Sequence, residues 1–180
     1  MENATRTSTL TACLVFIAAG LLSGLLSGFI ATRNVLDLPQ WLPPFLPGLA
    51  YGGLTGLALV ALRATTAGRA LAFALAMIVT WAIGLNLAPL TCENWLTGGG
   101  LGCTLYAAGL LGGFAGTLGV IAIAAFLFPA LRRPGLLSLL LGLGTVSGAL
   151  LELGPYWVFC GWQALTNGVL GYGLFCDKRA

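Results

Sequence analysis

Four polar side chains near the end of the sequence have the types and spacing that a solute site inside a membrane would need. Tyr156, Cys160, Gln163 and Asn167 follow one another at intervals of three or four residues, which places them on one face of a helix. Glu152 lies four residues before Tyr156, near the end of the preceding apolar run. It is on the glycine-lined face of that run and is predicted to point inward. A carboxamide that faced lipid would leave its hydrogen-bonding groups unmet, so this stripe must face other helices or a cavity.

Two interpretations of these polar residues stay open at this stage. Glu152, Tyr156, Gln163 and Asn167 form either a clamp of interhelical hydrogen bonds, worth about 0.6 kcal/mol per bond, or a polar solute site open to the outer side.

The cysteines suggest a covalent link on the outer side. Cys92 and Cys103 flank a run of three glycines in a polar segment between apolar runs. In an oxidising compartment we expect them to form a disulfide that contributes about 3 kcal/mol to stability. Cys160 is a competing partner for either thiol.

The sequence argues against catalysis. It contains no histidine, which excludes His-ligated metals or haem and histidine-dependent nucleophilic catalysis. No pair of carboxylates falls in the interior of an apolar run, where a proton relay would need them. We therefore predict a protein that is not an enzyme and has no cofactor. The net charge of +3 is scattered along the chain, which does not fit a nucleic-acid-binding surface.

Composition predicts the elements that position these residues. The chain is 58% hydrophobic and 7% charged, whereas soluble domains carry about a quarter charged residues, so lipid is the expected solvent. We predict a single all-α domain, a polytopic integral membrane protein with six transmembrane helices. The predicted spans are residues 10–31, 46–62, 70–90, 105–128, 136–153 and 156–175.

The basic residues predict the orientation. Seven of eight fall on one side of the six spans, namely Arg6, Arg63, Arg69, Arg132, Arg133, Lys178 and Arg179, and only Arg33 falls on the other. Since basic segments are retained in the cytoplasm, both termini are predicted to be cytoplasmic, in the bacterial inner membrane. Trp41, Trp95 and Trp157 then lie at the outer boundary, as a headgroup belt or as a docking surface.

Glycines recur every four residues in two of the spans. Gly20, Gly24 and Gly28 form such a series in the first, and Gly48, Gly52 and Gly56 form another in the second. This spacing permits close approach of helix backbones, so it predicts a tightly packed bundle; a subunit interface or a glycine-lined pore is the alternative.

Taken together, these patterns favour a non-catalytic membrane subunit, a structural or accessory component of a larger membrane complex. Its expected partners are the lipid bilayer and either other membrane subunits or further copies of itself. The alternative is a component of a small-solute channel or transporter, with its polar site open to the outer side.

Overall fold

The computed structural model of the protein describes residues 8–32, 42–91 and 105–175, and within these ranges it is all-helical and has no strand. The described residues form six α-helices. They are α1 (Thr9–Thr32), α2 (Leu46–Ala61), α3 (Ala67–Thr91), α4 (Leu105–Leu127), α5 (Pro134–Gly148) and α6 (Pro155–Phe175). Short 3-10 turns, Pro43–Phe45 and Pro129–Leu131, lead into α2 and α5, and a longer one, Ala149–Leu153, follows α5.

Five of the helical segments are long and apolar enough to cross a membrane, which indicates an integral membrane protein. They are Thr9–Thr32, Pro43–Ala61, Ala67–Asn86, Tyr106–Leu127 and Pro134–Leu153. The sixth predicted span, α6, has 21 residues, a length of about 31 Å at 1.5 Å per residue. It lacks the hydropathy of the others because it carries the polar residues Gln163, Thr166 and Asn167.

The helices form a closed ring. Each packs against its neighbour in chain order, and α6 returns to pack along α1, in the most extensive helix–helix contact of the described residues. At one end of the ring the Thr9 hydroxyl of α1 donates to the Phe175 carbonyl of α6, 3.2 Å away. At the other end Gly28 of α1 meets Tyr156 of α6, so the two helices are antiparallel neighbours along their whole length.

Glycine makes the contact between α1 and α6 close. A Cβ atom at Gly24 would lie 2.5 Å from Cα of Cys160, and one at Gly28 would lie 2.6 Å from Cδ1 of Tyr156. Gly20 meets the backbone of Gln163 in the same way. The glycine series of α1 therefore lies against α6 of the same chain.

The other glycine series is also used between neighbouring helices. A Cβ atom at Gly48 would lie 2.6 Å from the Met77 carbonyl oxygen, and one at Gly52 would lie 2.7 Å from that of Ala74, so α2 packs closely on α3. Gly56 is less tight, at 3.3 Å from the Ala70 carbonyl oxygen. Gly109 and Gly148 approach each other between α4 and α5.

Charge is divided between the two ends of the ring. Among the described residues the only charged side chains are four arginines and Glu152. Arg63 and Arg69 flank the turn between α2 and α3, and Arg132 and Arg133 lie between α4 and α5. Both turns lie at the end of the ring where α1 begins and α6 ends. Leu131, beside the second turn, packs near Gly173 of α6, and Leu59, near the end of α2, lines the same gap as Leu131. We call these four residues the arginine end.

Candidate functional site

The amide of Gln163 on α6 is enclosed between two serines of α1. Its Oε1 accepts a hydrogen bond from the Ser23 hydroxyl, and its Nε2 donates to Oγ of Ser27 over 3.1 Å. Ser27 in turn donates to the Ser23 carbonyl at 2.8 Å. All three side chains are fully buried, so the amide is satisfied by α1 and not by water.

Asn167, one turn further along α6, is joined to α2. Its amide faces the Thr55 hydroxyl, which donates to Oδ1 at 3.1 Å and accepts from Nδ2 at 3.0 Å. Both residues have no exposed surface. Asn167 lies 12 residues beyond Pro155, or about 18 Å along the helix, and is therefore near the middle of α6.

Two further side chains of α6 extend the polar contacts to the rest of the ring. The hydroxyl groups of Thr166 and Tyr51, on α2, lie 3.3 Å apart. Nε1 of Trp162 donates to Oγ1 of Thr117, on α4, at 3.1 Å. The side chains of α6 thus make hydrogen bonds to α1, α2 and α4, and this set is the buried polar network. Its members are Ser23, Ser27, Tyr51, Thr55, Thr117, Trp162, Gln163, Thr166 and Asn167.

Aromatic rings from α2, α3 and α6 pack beside this network. Trp81 and Trp162 meet edge to face with centroids 5.0 Å apart, and Phe159 lies 5.5 Å from Trp81. Tyr51 completes the group at 5.6 Å from Trp162. Edge-to-face pairs of this kind stabilise a core beyond their buried area, by about 0.5–1.5 kcal/mol. Nε1 of Trp81 is buried and has no hydrogen-bond partner, which distinguishes it from the paired indole of Trp162.

The space between the helices nearer the arginine end is closely packed. The gap that remains there is lined by Phe16, Phe73, Phe128 and Leu131 and is too small for a water molecule. Within the described residues this stretch of the interior is a packed core and not a water-filled passage.

The structure does not bring Glu152 to Gln163 and Asn167. Glu152 is exposed, and its Oε1 accepts a hydrogen bond from the backbone N–H of Tyr106 at 2.6 Å, at the start of α4. The inward orientation expected from α-helical spacing is wrong because the α-helix ends at Gly148. A 3-10 turn advances about 120° per residue instead of 100°, so four residues rotate Glu152 by about 80°. In its actual position the carboxylate caps the positive end of α4.

Tyr156 also lies apart from the network. Its ring covers Gly28 and is 38% exposed, and its hydroxyl accepts a bond from Thr32 at 3.2 Å. Cys160 is half-buried and packs against Gly24. This contact fits the prediction that Tyr156, Cys160, Gln163 and Asn167 share one face of α6. The candidate set therefore divides into a buried pair, Gln163 and Asn167, and an exposed pair, Glu152 and Tyr156.

The partners of the buried amides were missed at the sequence level. They are hydroxyl residues of apolar helices: Ser23 and Ser27 on α1 for Gln163, and Thr55 on α2 for Asn167. A signal was present, since Ser23, Ser27 and Thr55 each directly precede a glycine of the series that brings the backbones together.

Several predicted residues lie outside the described part of the chain. These are Cys92 and Cys103, with their expected disulfide, together with Trp41 and Trp95. Trp157 is described and is 62% exposed at the start of α6.

Comparison of the chain with models of known protein families, with curated proteins and with solved structures finds no match.

Proposed function

We propose that the protein is a non-catalytic integral membrane subunit that serves as a structural or accessory component of a larger complex in the bacterial inner membrane. Both termini and the arginine end face the cytoplasm in this proposal, because basic segments are retained on that side during insertion.

The observation that carries the proposal is the use of the buried polar groups. Gln163 and Asn167 are the fully buried carboxamides of the described helices, and each bonds to hydroxyls of neighbouring helices. A solute site needs donors or acceptors that remain available to the solute, whereas these amides hold α1, α2 and α6 together. Their chemistry therefore supports a structural role.

The outer surface of the ring supports an assembly role in a different way. Large apolar side chains cover it, among them Leu10, Leu57, Phe126 and Val146, which are 66–77% exposed. Such a surface is fit for contact with lipid or with apolar helices of another subunit.

Site-specific photocrosslinking in the native membrane tests the proposal. A photoreactive amino acid is placed singly at Leu10 of α1, Leu57 of α2, Phe126 of α4 and Val146 of α5. An accessory subunit should give a discrete protein adduct from at least one face and lipid adducts from the others. Lipid adducts alone from all four positions would contradict the proposal.

Phe73 of α3 supplies the control for this experiment. Its side chain is 1% exposed and lies inside the ring, so a photoreactive group there should react only within the chain. An intermolecular adduct from this position would indicate misfolded material rather than a subunit contact.

The second candidate function is a component of a small-solute channel or transporter, and the unpartnered indole of Trp81 favours it. A buried donor without an acceptor carries an unfavourable desolvation energy of about 1–3 kcal/mol, which a solute with an acceptor group would offset. Trp81 is itself partly exposed, although its Nε1 is buried.

Small-molecule profiles of cells test this candidate. Cells that express the wild-type chain, the Trp81→Phe variant or no protein are compared by mass spectrometry. A transporter component should change the level of a solute, and Trp81→Phe should abolish the change while the variant remains folded and in the membrane. Identical profiles in all three cultures would contradict the second candidate.

A further inference from the structure

Arg63 occupies a backbone position that arginine does not favour. Its φ angle is 53°, in the left-handed region, and it is the only non-glycine residue with positive φ among those described. It stands directly after the C-terminal end of α2, where the Ala64 N–H bonds to the Leu59 carbonyl and the Arg63 N–H to the Val60 carbonyl. This helix-ending geometry normally selects glycine, because a side chain is strained there.

Two other arginines lie where helix dipoles disfavour positive charge. Arg69 is in the first turn of α3, which begins at Ala67, and Arg133 directly precedes Pro134, the first residue of α5. The amino end of a helix carries partial positive charge, so a cation there is repelled. Folding energetics therefore do not account for the charge of Arg69. At Arg63 the carboxyl end of α2 favours the charge, but the backbone conformation is strained.

The described residues supply no acid to compensate the charges of Arg63 and Arg69. Glu152 is the one acidic side chain among them, and it caps α4 at the opposite end of the ring. Arg132 has a clear intramolecular contact, since its Nε donates to the Ala125 carbonyl at 2.8 Å, in the last turn of α4. On the topology that the sequence predicts, this side of the membrane carries seven basic residues against Glu2 and Asp177, a net charge of +5.

We propose that the arginine end binds the phosphate groups of anionic phospholipids in the leaflet that it faces. Arg63, Arg69 and Arg132 are exposed at the ends of helices long enough to span the bilayer, which is the level of the lipid phosphates. Guanidinium groups match phosphate oxygens in geometry, and anionic headgroups attract basic residues beside a span.

Orientation during insertion does not by itself explain this arrangement. The topology signal depends on Lys and Arg being present in a short segment, and it requires no particular backbone conformation. Arg63 could be displaced to a neighbouring residue of the turn without loss of that signal. A contact with a headgroup does depend on where the guanidinium is held.

Thermal unfolding in lipid nanodiscs tests the proposal. The full chain is reconstituted either in phosphatidylcholine alone or in phosphatidylcholine mixed with phosphatidylglycerol, and the two unfolding midpoints are compared. Bound anionic lipid should raise the midpoint by about 3 °C or more, because a ligand that binds only the folded state stabilises it. The increase should diminish at high ionic strength.

The variant Arg63→Gly separates lipid binding from a role in folding. In phosphatidylcholine it should unfold at a higher temperature than wild type, because glycine relieves the strained φ. Its additional gain from phosphatidylglycerol should be smaller than that of wild type, and the same loss of gain is expected for Arg69→Gln. Each single variant retains the other three described arginines, so the charge bias that directs insertion is preserved. Leu57→Ala, on the lipid-facing side of α2, should keep the wild-type gain.

Two results would overturn the proposal. One is an equal gain from phosphatidylglycerol in wild type, Arg63→Gly and Arg69→Gln. The other is an equal gain in wild type when inorganic phosphate is added to phosphatidylcholine nanodiscs at matched ionic strength, which would identify a site for the free anion.

Discussion

Replacement of Gly24 by alanine should separate α1 from α6 and destabilise the protein. The added Cβ would lie 2.5 Å from Cα of Cys160 and 2.7 Å from its backbone nitrogen. Carbon atoms pack best at about 3.5–4.0 Å, so the two helices must move apart by about 1 Å. Overpacking of this kind costs about 1–3 kcal/mol, and the better helix propensity of alanine returns up to about 1 kcal/mol. We expect a net loss of about 1–2 kcal/mol.

The loss is measurable as a shift of the thermal unfolding midpoint in a mild detergent. For a chain of this length each 1 kcal/mol corresponds to about 2–4 °C, so the midpoint of Gly24→Ala should fall by about 2–8 °C. Near-UV circular dichroism reports the transition, because it senses the packing of buried aromatic side chains such as Trp162.

Gly142 on α5 provides the matched control for Gly24→Ala. A Cβ atom there has no neighbour within 4 Å, so Gly142→Ala should leave the midpoint unchanged or raise it. If Gly24→Ala is as stable as Gly142→Ala, the close backbone contact between α1 and α6 does not exist as described.

Three further predictions concern polar side chains and use the same unfolding assay. Asn167→Leu should lower stability by about 1–3 kcal/mol because it leaves the Thr55 hydroxyl unpaired. The double variant with Thr55→Val should lose less stability than the two single variants lose together, and strict additivity would contradict a direct bond. Glu152→Ala should lower stability by about 0.5–2 kcal/mol through loss of the cap on α4, and an unchanged midpoint would show that the cap is not formed. Trp81→Phe removes a donor that has no acceptor and should be less harmful than Trp162→Phe, which breaks a bond to another helix; the reverse order would contradict the assignment of these two indoles.

The helices could be predicted because their cause is local. Apolar runs, prolines and glycines at their ends and the spacing of small residues determine where a membrane helix begins and ends and which face packs. Accordingly α1, α2, α3, α4 and α6 begin and end within three residues of the predicted spans. The 3-10 turn after α5 has no comparable signal in the sequence. For this reason the predicted inward orientation of Glu152 is wrong.

The candidate site was less predictable because its partners lie far apart in the chain. The helical face that carries Gln163 and Asn167 follows from spacing alone, yet Gln163 bonds to Ser23, 140 residues away, and Asn167 to Thr55, 112 residues away. Such pairings depend on which helices become neighbours in the ring. The buried and unpartnered state of the Trp81 Nε1 likewise depends on packing. The sequence alone does not show which of the five indole N–H groups will lack an acceptor.

The native mass of the protein, extracted from its own membrane with lipids retained, tests the central claim most directly. If the chain is an accessory subunit, native mass spectrometry should show the 18.5 kDa chain in a defined complex, with a second kind of subunit or with further copies of itself. The complex should persist in the Gly142→Ala control. A uniform monomer that carries only lipid, under conditions in which the chain remains folded, would contradict the claim.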